Sequence, residues 1–137
     1  MRFLSPEASQ AVLNNLKAYL AERSEIVFAY VHGSFAEDRP FRDVDLAVWV
    51  NPETVGPKHL LDFELDLGVR LQELVRVPVD VRVLNTAPLA FRYHATRGVL
   101  LVSRDDEMRS ECVERWRAAY WDYQPVARHN LAEVLRG

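Results

Sequence analysis

An alternating segment from Asp43 to Val50 constrains the fold of this chain more than any other feature. Every second residue in it is aliphatic: Val44, Leu46, Val48 and Val50. A period of two predicts a β-strand whose aliphatic face packs on the core. Asp43 and Asp45 share the opposite face with Ala47 and Trp49. Because unpaired buried carboxylates are very costly, we expect the acidic face to be wet, paired or metal-bound.

A second segment, from Val79 to Leu84, alternates in the same way and places Asp80 and Arg82 together on one face. If the two strands are neighbours, the carboxylates of Asp43, Asp45 and Asp80 converge. Three clustered negative charges repel one another, and a divalent cation would relieve that repulsion. Carboxylate oxygens are ligands that Mg²⁺ prefers. A pair of ions about 3.5–4 Å apart could clamp the attacking and leaving oxygens of a phosphoryl displacement.

The rest of the chain predicts helices on both sides of these strands. Apolar residues at helical spacing follow Gly56-Pro57: Leu60, Phe63, Leu67, Leu71 and Leu74. The other predicted elements are a helix from Ser5-Pro6-Glu7, a strand over Ile26–Val31, a short helix from Pro88 to Gly98, and a strand over Val99–Val102. The order α-β-β-α-β-α-β-α predicts an α/β (α+β) fold with a single mixed sheet of about four strands flanked by helices.

A C-terminal helical segment is predicted to begin at about residue 105, where Asp105 and Asp106 suit a helix N-terminus. Its apolar stripe is Met108, Cys112, Trp116 and Tyr120. Pro125 is expected to break or kink this helix before a terminal helical piece. We expect Trp116 to pack in the core. Trp121 or Tyr123 could also pack there, or could contact a partner or a second subunit.

Length and composition favour one domain over residues 1–137 and exclude some partners. The net charge of -3 argues against a broad basic surface for nucleic acid. Cys112 is the only cysteine, so no intramolecular disulfide can form. No apolar run approaches the roughly 20 residues of a membrane span, and no signal peptide is recognisable. We therefore expect a cytoplasmic protein.

Gly33-Ser34 directly follows the first predicted strand. Glycine lets the backbone approach a phosphate, and serine adds a hydroxyl and an amide donor. The spacing is not that of a P-loop. Arg39, Arg42 and Arg82 are cations that could reach a phosphate, or that could be solvated or paired with acids.

The stretch His32–Ala36, followed by Asp43–Ala47 and by Asp80 on a later strand, resembles the nucleotidyltransferase superfamily of DNA polymerase beta. The small size is similar to that of its minimal nucleotidyltransferases, called MNT proteins. The run Tyr120–Tyr123 also looks like members encoded beside HEPN-family toxins. The resemblance implies a polymerase-beta-like nucleotidyltransferase fold.

The resemblance also implies roles for individual residues. Gly33 and Ser34 would hold the β- and γ-phosphates of ATP. Asp43, Asp45 and Asp80 would ligate Mg²⁺, and Asp80 would help to deprotonate or orient the acceptor hydroxyl. The implied reaction is transfer of AMP from ATP to a tyrosine of a HEPN toxin, so that the protein acts as an antitoxin.

The sequence departs from the family pattern between Ser34 and Asp43, where the connection is shorter than usual and Arg42 stands in place of a frequent serine. This motivates the alternative that the protein masks the toxin without catalysis. A third interpretation is an enzyme that modifies a small molecule such as an aminoglycoside. Enzymes of the latter kind usually carry an added domain, so here the acceptor surface would come from a partner or a second copy of the chain.

Overall fold

The computed structural model describes the backbone of residues 1–136 and the side chains of residues 1–122. Over this range the elements are α1 (Pro6–Glu22), β1 (Ile26–His32), α2 (Gly33–Ala36), β2 (Val44–Val50), α3 (Leu60–Val75), β3 (Val79–Val83), α4 (Leu89–Ala95), β4 (Val99–Ser103) and α5 (Asp106–Arg136). Single 3-10 turns at Pro57–His59 and Leu84–Thr86 precede α3 and α4. The predicted order of elements is confirmed, and the segment after β1 forms one helical turn.

The four strands form one sheet in the order β3-β2-β1-β4. β1 is antiparallel to both β2 and β4, whereas β2 and β3 are parallel. The parallel pair is possible because α3 carries the chain back between the two strands. The predicted mixed sheet is therefore confirmed.

One face of the sheet is covered by α1 and α3. The aliphatic residues of β2 are fully buried there, together with Leu16 and Leu20 of α1 and Leu67 and Leu71 of α3. The predicted stripe of α3 is wrong at its end, because Leu74 is 42% exposed and Val75 is buried instead. Val75 lies four residues after Leu71, which returns it to the same side of the helix.

The other face, which carries the acids, is covered by α4 and α5. A second, smaller core lies there and consists of Phe28, Tyr30, Ala47, Leu84, Ala95, Cys112 and Trp116. The predicted core position of Trp116 is confirmed. On this face of β2 Ala47 is buried, whereas Asp45, two residues earlier, remains partly accessible.

Helix α5 begins where predicted, with the Asp105 carboxylate accepting a hydrogen bond from the Met108 N–H at 3.0 Å. The predicted break at Pro125 is wrong, since the backbone is helical to Arg136. A proline removes one hydrogen bond of the helix, and the bonds on either side of it can still form. The side chain of Tyr123, a predicted partner contact, lies outside the described residues. No helix in the described range is both long enough and apolar enough to cross a membrane.

Candidate active site

The turn at Gly33 lies directly against the carboxylate of Asp45. β1 ends at His32, and Gly33 adopts a left-handed φ of 77° as α2 begins. A Cβ atom at position 33 would lie 2.3 Å from Oδ2 of Asp45, far inside van der Waals contact. Only glycine permits both the backbone conformation and the close approach.

The short connection that follows is anchored by aromatic packing. The buried rings of Phe35 and Phe41 meet edge to face, with centroids 5.0 Å apart. Asp38 turns the chain with a φ of 58°. Arg2 and Phe41 then exchange two backbone hydrogen bonds, of 2.7 and 2.9 Å. The shortened connection therefore still brings Asp45 to Gly33.

Three site positions form a row across neighbouring strands. Asp45 of β2 is the register partner of Asp80 in parallel β3 and of His32 in antiparallel β1. Asp43 lies one residue before β2, which begins at Val44 and not at Asp43 as predicted. The adjacency of β2 and β3, on which the predicted convergence depended, is confirmed.

Burial and neighbouring charges shift the pKa values of Asp45 and His32. Burial raises the pKa of Asp45 from 3.8 to about 6, and the negative charges of Asp80 and Asp43 add to the effect. Burial lowers the pKa of His32 below 6.5, with Arg82 adding to this and Asp80 opposing it. His32 is therefore neutral at physiological pH. Its Nε2 is buried and has no hydrogen-bond partner within the described part of the chain.

The donor set suits a hard cation, although the side chains are not gathered around one point. Among the described residues, no group of three or more His, Cys, Asp or Glu side chains is close enough to hold a metal ion. Asp80 is exposed and Asp43 is partly exposed, so both have room to change rotamer. Burial first, and then the charges of Asp80 and Asp43, raise the pKa of Asp45, and a cation held there would oppose both effects. Chemistry and register thus fit magnesium, and its binding stays a prediction.

The predicted cationic residues lie in different surroundings. The guanidinium of Arg82 stacks 4.5 Å from the ring centroid of Phe91, and that ring packs edge to face on His32. Arg39 pairs with Glu37. Arg42 is exposed, and neither it nor Arg82 forms an ion pair with a side chain among residues 1–122. Arg82 therefore packs on the ring beside His32, whereas Arg42 faces solvent.

A cleft of about 480 Å³ opens beside Gly33. It is lined by His32, Gly33, Ala36, Glu37, His94, Arg97, Gly98 and Val99. This volume lies within the range of small-molecule sites. Neither His94 nor Arg97 was among the predicted site residues.

The sequence signal for these two residues is Gly98, for which the local pattern predicts only the end of a helix. A Cβ atom there would lie 2.2 Å from the Val31 carbonyl oxygen, so glycine lets the connection from α4 to β4 press against β1. That contact brings His94 and Arg97 to the mouth of the cleft. Tyr120 of α5 supports this wall, with its hydroxyl 3.2 Å from Nε2 of His94.

Chains with a similar fold occur in solved toxin–antitoxin complexes. In a complex of a tri-AMPylated HEPN toxin from Shewanella oneidensis with its MNT antitoxin, the matched chain is 16% identical, with a TM-score of 0.69 and coverage of 93% of this chain and 98% of that one. A toxin–antitoxin structure with AMP-PNP gives 16% identity, a TM-score of 0.66 and coverage of 96% and 99%. The MntA–HepT complex gives 16% identity, a TM-score of 0.68 and coverage of 92% and 98%. At this identity the likeness shows a shared fold.

Sequence comparison identifies the family. A search of curated protein sequences found no match to this chain. The family model described as "Polymerase beta, Nucleotidyltransferase" matches residues 14–107. The match spans all four strands and every residue of the predicted site. Since it also covers most of the chain, this protein belongs to the polymerase beta nucleotidyltransferase family.

Proposed function

We propose that this protein transfers AMP from ATP to a tyrosine hydroxyl of a HEPN-family toxin, with magnesium, and thereby acts as its antitoxin. The observation that carries the proposal is the register of Asp45 with Asp80, with Gly33 packed against the Asp45 carboxylate. The complexes of similarly folded chains with an AMPylated HEPN toxin, and with AMP-PNP, support the choice of acceptor and donor.

In this reaction the acceptor oxygen bonds to the α-phosphorus, and the bond from that phosphorus to the bridging oxygen breaks. Pyrophosphate leaves with the electron pair. Backbone N–H groups and the hydroxyl of Gly33-Ser34 hold the β- and γ-phosphates. Asp80, exposed beside Asp45, accepts the proton of the acceptor hydroxyl. Magnesium held by Asp43, Asp45 and Asp80 would supply positive charge that offsets the triphosphate.

Residues 1–137 act in this proposal as one minimal nucleotidyltransferase domain, because both cores flank the same sheet. We place the protein in the cytoplasm, where ATP and magnesium are both abundant. The acceptor binds from the side of Asp80, and the nucleotide lies on the side of the Gly33 cleft.

The direct test is transfer of label from α-labelled ATP to the purified HEPN partner. Asp43→Asn and Asp45→Asn are each expected to abolish transfer while the circular dichroism spectrum stays unchanged. Asp105→Asn is the matched control, since it removes a carboxylate outside the site and asparagine caps a helix as well as aspartate does. Undiminished labelling of the partner by both site variants would contradict the proposal.

A second candidate is an antitoxin that masks the toxin without catalysis. It is motivated by the short connection between Ser34 and Asp43. Stoichiometry separates the two. A catalyst neutralises an excess of toxin when ATP and magnesium are present, whereas a mask needs matched amounts and no ATP.

A further inference from the structure

Helix α3 carries a second apolar face that points away from the core. Leu61, Leu65 and Val69 are spaced four residues apart and are 64%, 60% and 60% exposed. We call these three residues the outer stripe. Residues at this spacing lie one above another on a helix, so they form a continuous apolar surface. Scattered apolar residues are ordinary on a protein surface, but an aligned row is typical of a site where another molecule packs.

A groove of about 380 Å³ runs between the outer stripe and strand β3. Its lining is Glu64, Leu65, Gly68, Val69, Gln72, Glu73, Val79, Asp80 and Val81. The charged residues among these are all acidic, and the lining includes no basic side chain. The groove therefore combines an apolar wall with negative charge, and it reaches Asp80 of the candidate active site.

The edge of β3 is partly closed to a further strand. The Val83 N–H donates to the Glu64 carboxylate at 2.8 Å, and the Val79 N–H donates to the Gln72 side-chain oxygen at 3.3 Å. A strand that paired with this edge would have to displace both bonds. The groove therefore suits a helix better than an added strand.

We propose that the outer stripe and this groove form the docking surface for the acceptor protein. The acceptor presents an apolar helix flanked by lysine or arginine side chains, which complement the acidic lining. The inference rests on the proposed function. It assigns the Asp80 side of the site to the acceptor and the Gly33 side to the nucleotide. The strand order β3-β2-β1 places the groove on the Asp80 side of Asp45, and the Gly33 cleft on the opposite side.

A second copy of this chain fits the groove less well than a basic partner does. A two-fold dimer would set the same patch against itself. The carboxylates of Glu64, Glu73 and Asp80 from both copies would then share one interface, and like charges at close range repel. The same charges attract a basic helix and speed its association.

The test compares Leu65→Lys with Leu74→Lys in binding to the purified HEPN protein that the proposed function names as acceptor. Both changes put a lysine on α3 at a cost to helix propensity that is close to zero. Leu65 lines the groove, whereas Leu74 is 42% exposed and lies outside it. We expect Leu65→Lys to raise the Kd at least about tenfold. Leu74→Lys should leave it within about twofold.

Binding of ATP with magnesium, measured by calorimetry, should be unchanged in both variants, which shows that Leu65→Lys leaves the fold intact. Binding by Leu65→Lys as tight as by the unmodified protein, or an equal loss in Leu74→Lys, overturns the docking surface. The docking surface is also overturned if light scattering shows a dimer that Leu65→Lys dissociates while binding to the HEPN protein stays as tight. It is overturned as well if the unmodified protein does not bind the HEPN protein.

The two proposals fail in different ways. If Leu65→Lys abolishes binding but the unmodified protein transfers no AMP, the docking surface stands and the transferase proposal falls. If AMP transfer occurs and Leu65→Lys retains full binding, the transferase proposal stands and the docking surface falls.

Discussion

Asp45→Asn is expected to make the metal-free protein more stable at neutral pH, even though the proposed function predicts that the variant is inactive. The pKa of Asp45 is about 6 in the fold against an ordinary value of 3.8. The folded protein therefore binds this proton more tightly than the unfolded chain does. The resulting stabilisation is full below about pH 3.8 and is lost as the pH rises through 6.

The size of the effect follows from that difference in pKa. At about 1.4 kcal/mol per pH unit, the ionised carboxylate would cost the fold at most about 3 kcal/mol at neutral pH. Asp45 is partly exposed, and water screens its interactions with Asp80 and Asp43. After that discount we expect asparagine to raise the free energy of unfolding by about 1 kcal/mol. For a chain of this size, the melting temperature should rise by roughly 3–5 °C.

The assay is urea unfolding of Asp45→Asn and of the unmodified protein, at about pH 7.5 and at about pH 3.5. The difference in stability should be present at the higher pH and absent at the lower one. Asp105→Asn, tested in parallel, should show no such gain. Added magnesium should stabilise the unmodified protein at the higher pH and have little effect on Asp45→Asn, because ligands stabilise the state that binds them.

An Asp45→Asn variant that is less stable than the unmodified protein at the higher pH would refute this reasoning. It would show that the carboxylate makes favourable contacts that outweigh its burial and repulsion. A gain of equal size at both pH values would also refute it, because the effect would then not arise from the charge.

Two further substitutions test the cleft beside Asp45. Gly33→Ala is expected to destabilise the fold by about 1–2 kcal/mol, since position 33 is left-handed. It should also slow AMP transfer by about 100-fold, because its Cβ would displace the Asp45 carboxylate. Urea unfolding measures the loss of stability, and label transfer measures the loss of activity. Unchanged values in both assays would contradict the packing of Gly33 on Asp45. Arg97→Gln should raise the KM for ATP about tenfold with kcat nearly unchanged, as expected when a contact to the bound nucleotide is lost. Arg117→Gln, an exposed change on α5, is its control, and an equal rise in KM there would remove Arg97 from the nucleotide site.

The alternation of β2 and β3 made the acid-bearing strands predictable. Strand geometry alone places Asp45 and Asp80 on faces opposite to aliphatic residues, and the structure adds only their register. The second core could not be predicted in the same way. Alternation shows that two faces differ in polarity, but it does not show that α4 and α5 cover Ala47 and leave Asp45 accessible.

Local pattern does not predict the exact buried side of α3 or the role of Gly98. Apolar residues occupy more than one side of α3, so helical period does not select which side packs on the sheet. For that reason the spacing predicts Leu74 on the buried side, where the structure has Val75. Gly98 is required by a contact with the Val31 carbonyl across the fold, and no local pattern encodes such a contact.

Under the proposed function, the row of His32, Asp45 and Asp80 gives a reason why the acceptor would be a separate protein. The nucleotide cleft opens at the His32 end and the acidic groove at the Asp80 end, with Asp45 between them. Both faces of the sheet are already covered by helices. The groove beside Asp80 has an apolar and acidic lining, which holds no reacting hydroxyl of its own. A protein that packs on α3 would bring that hydroxyl and supply basic side chains that offset the negative charge around Asp80.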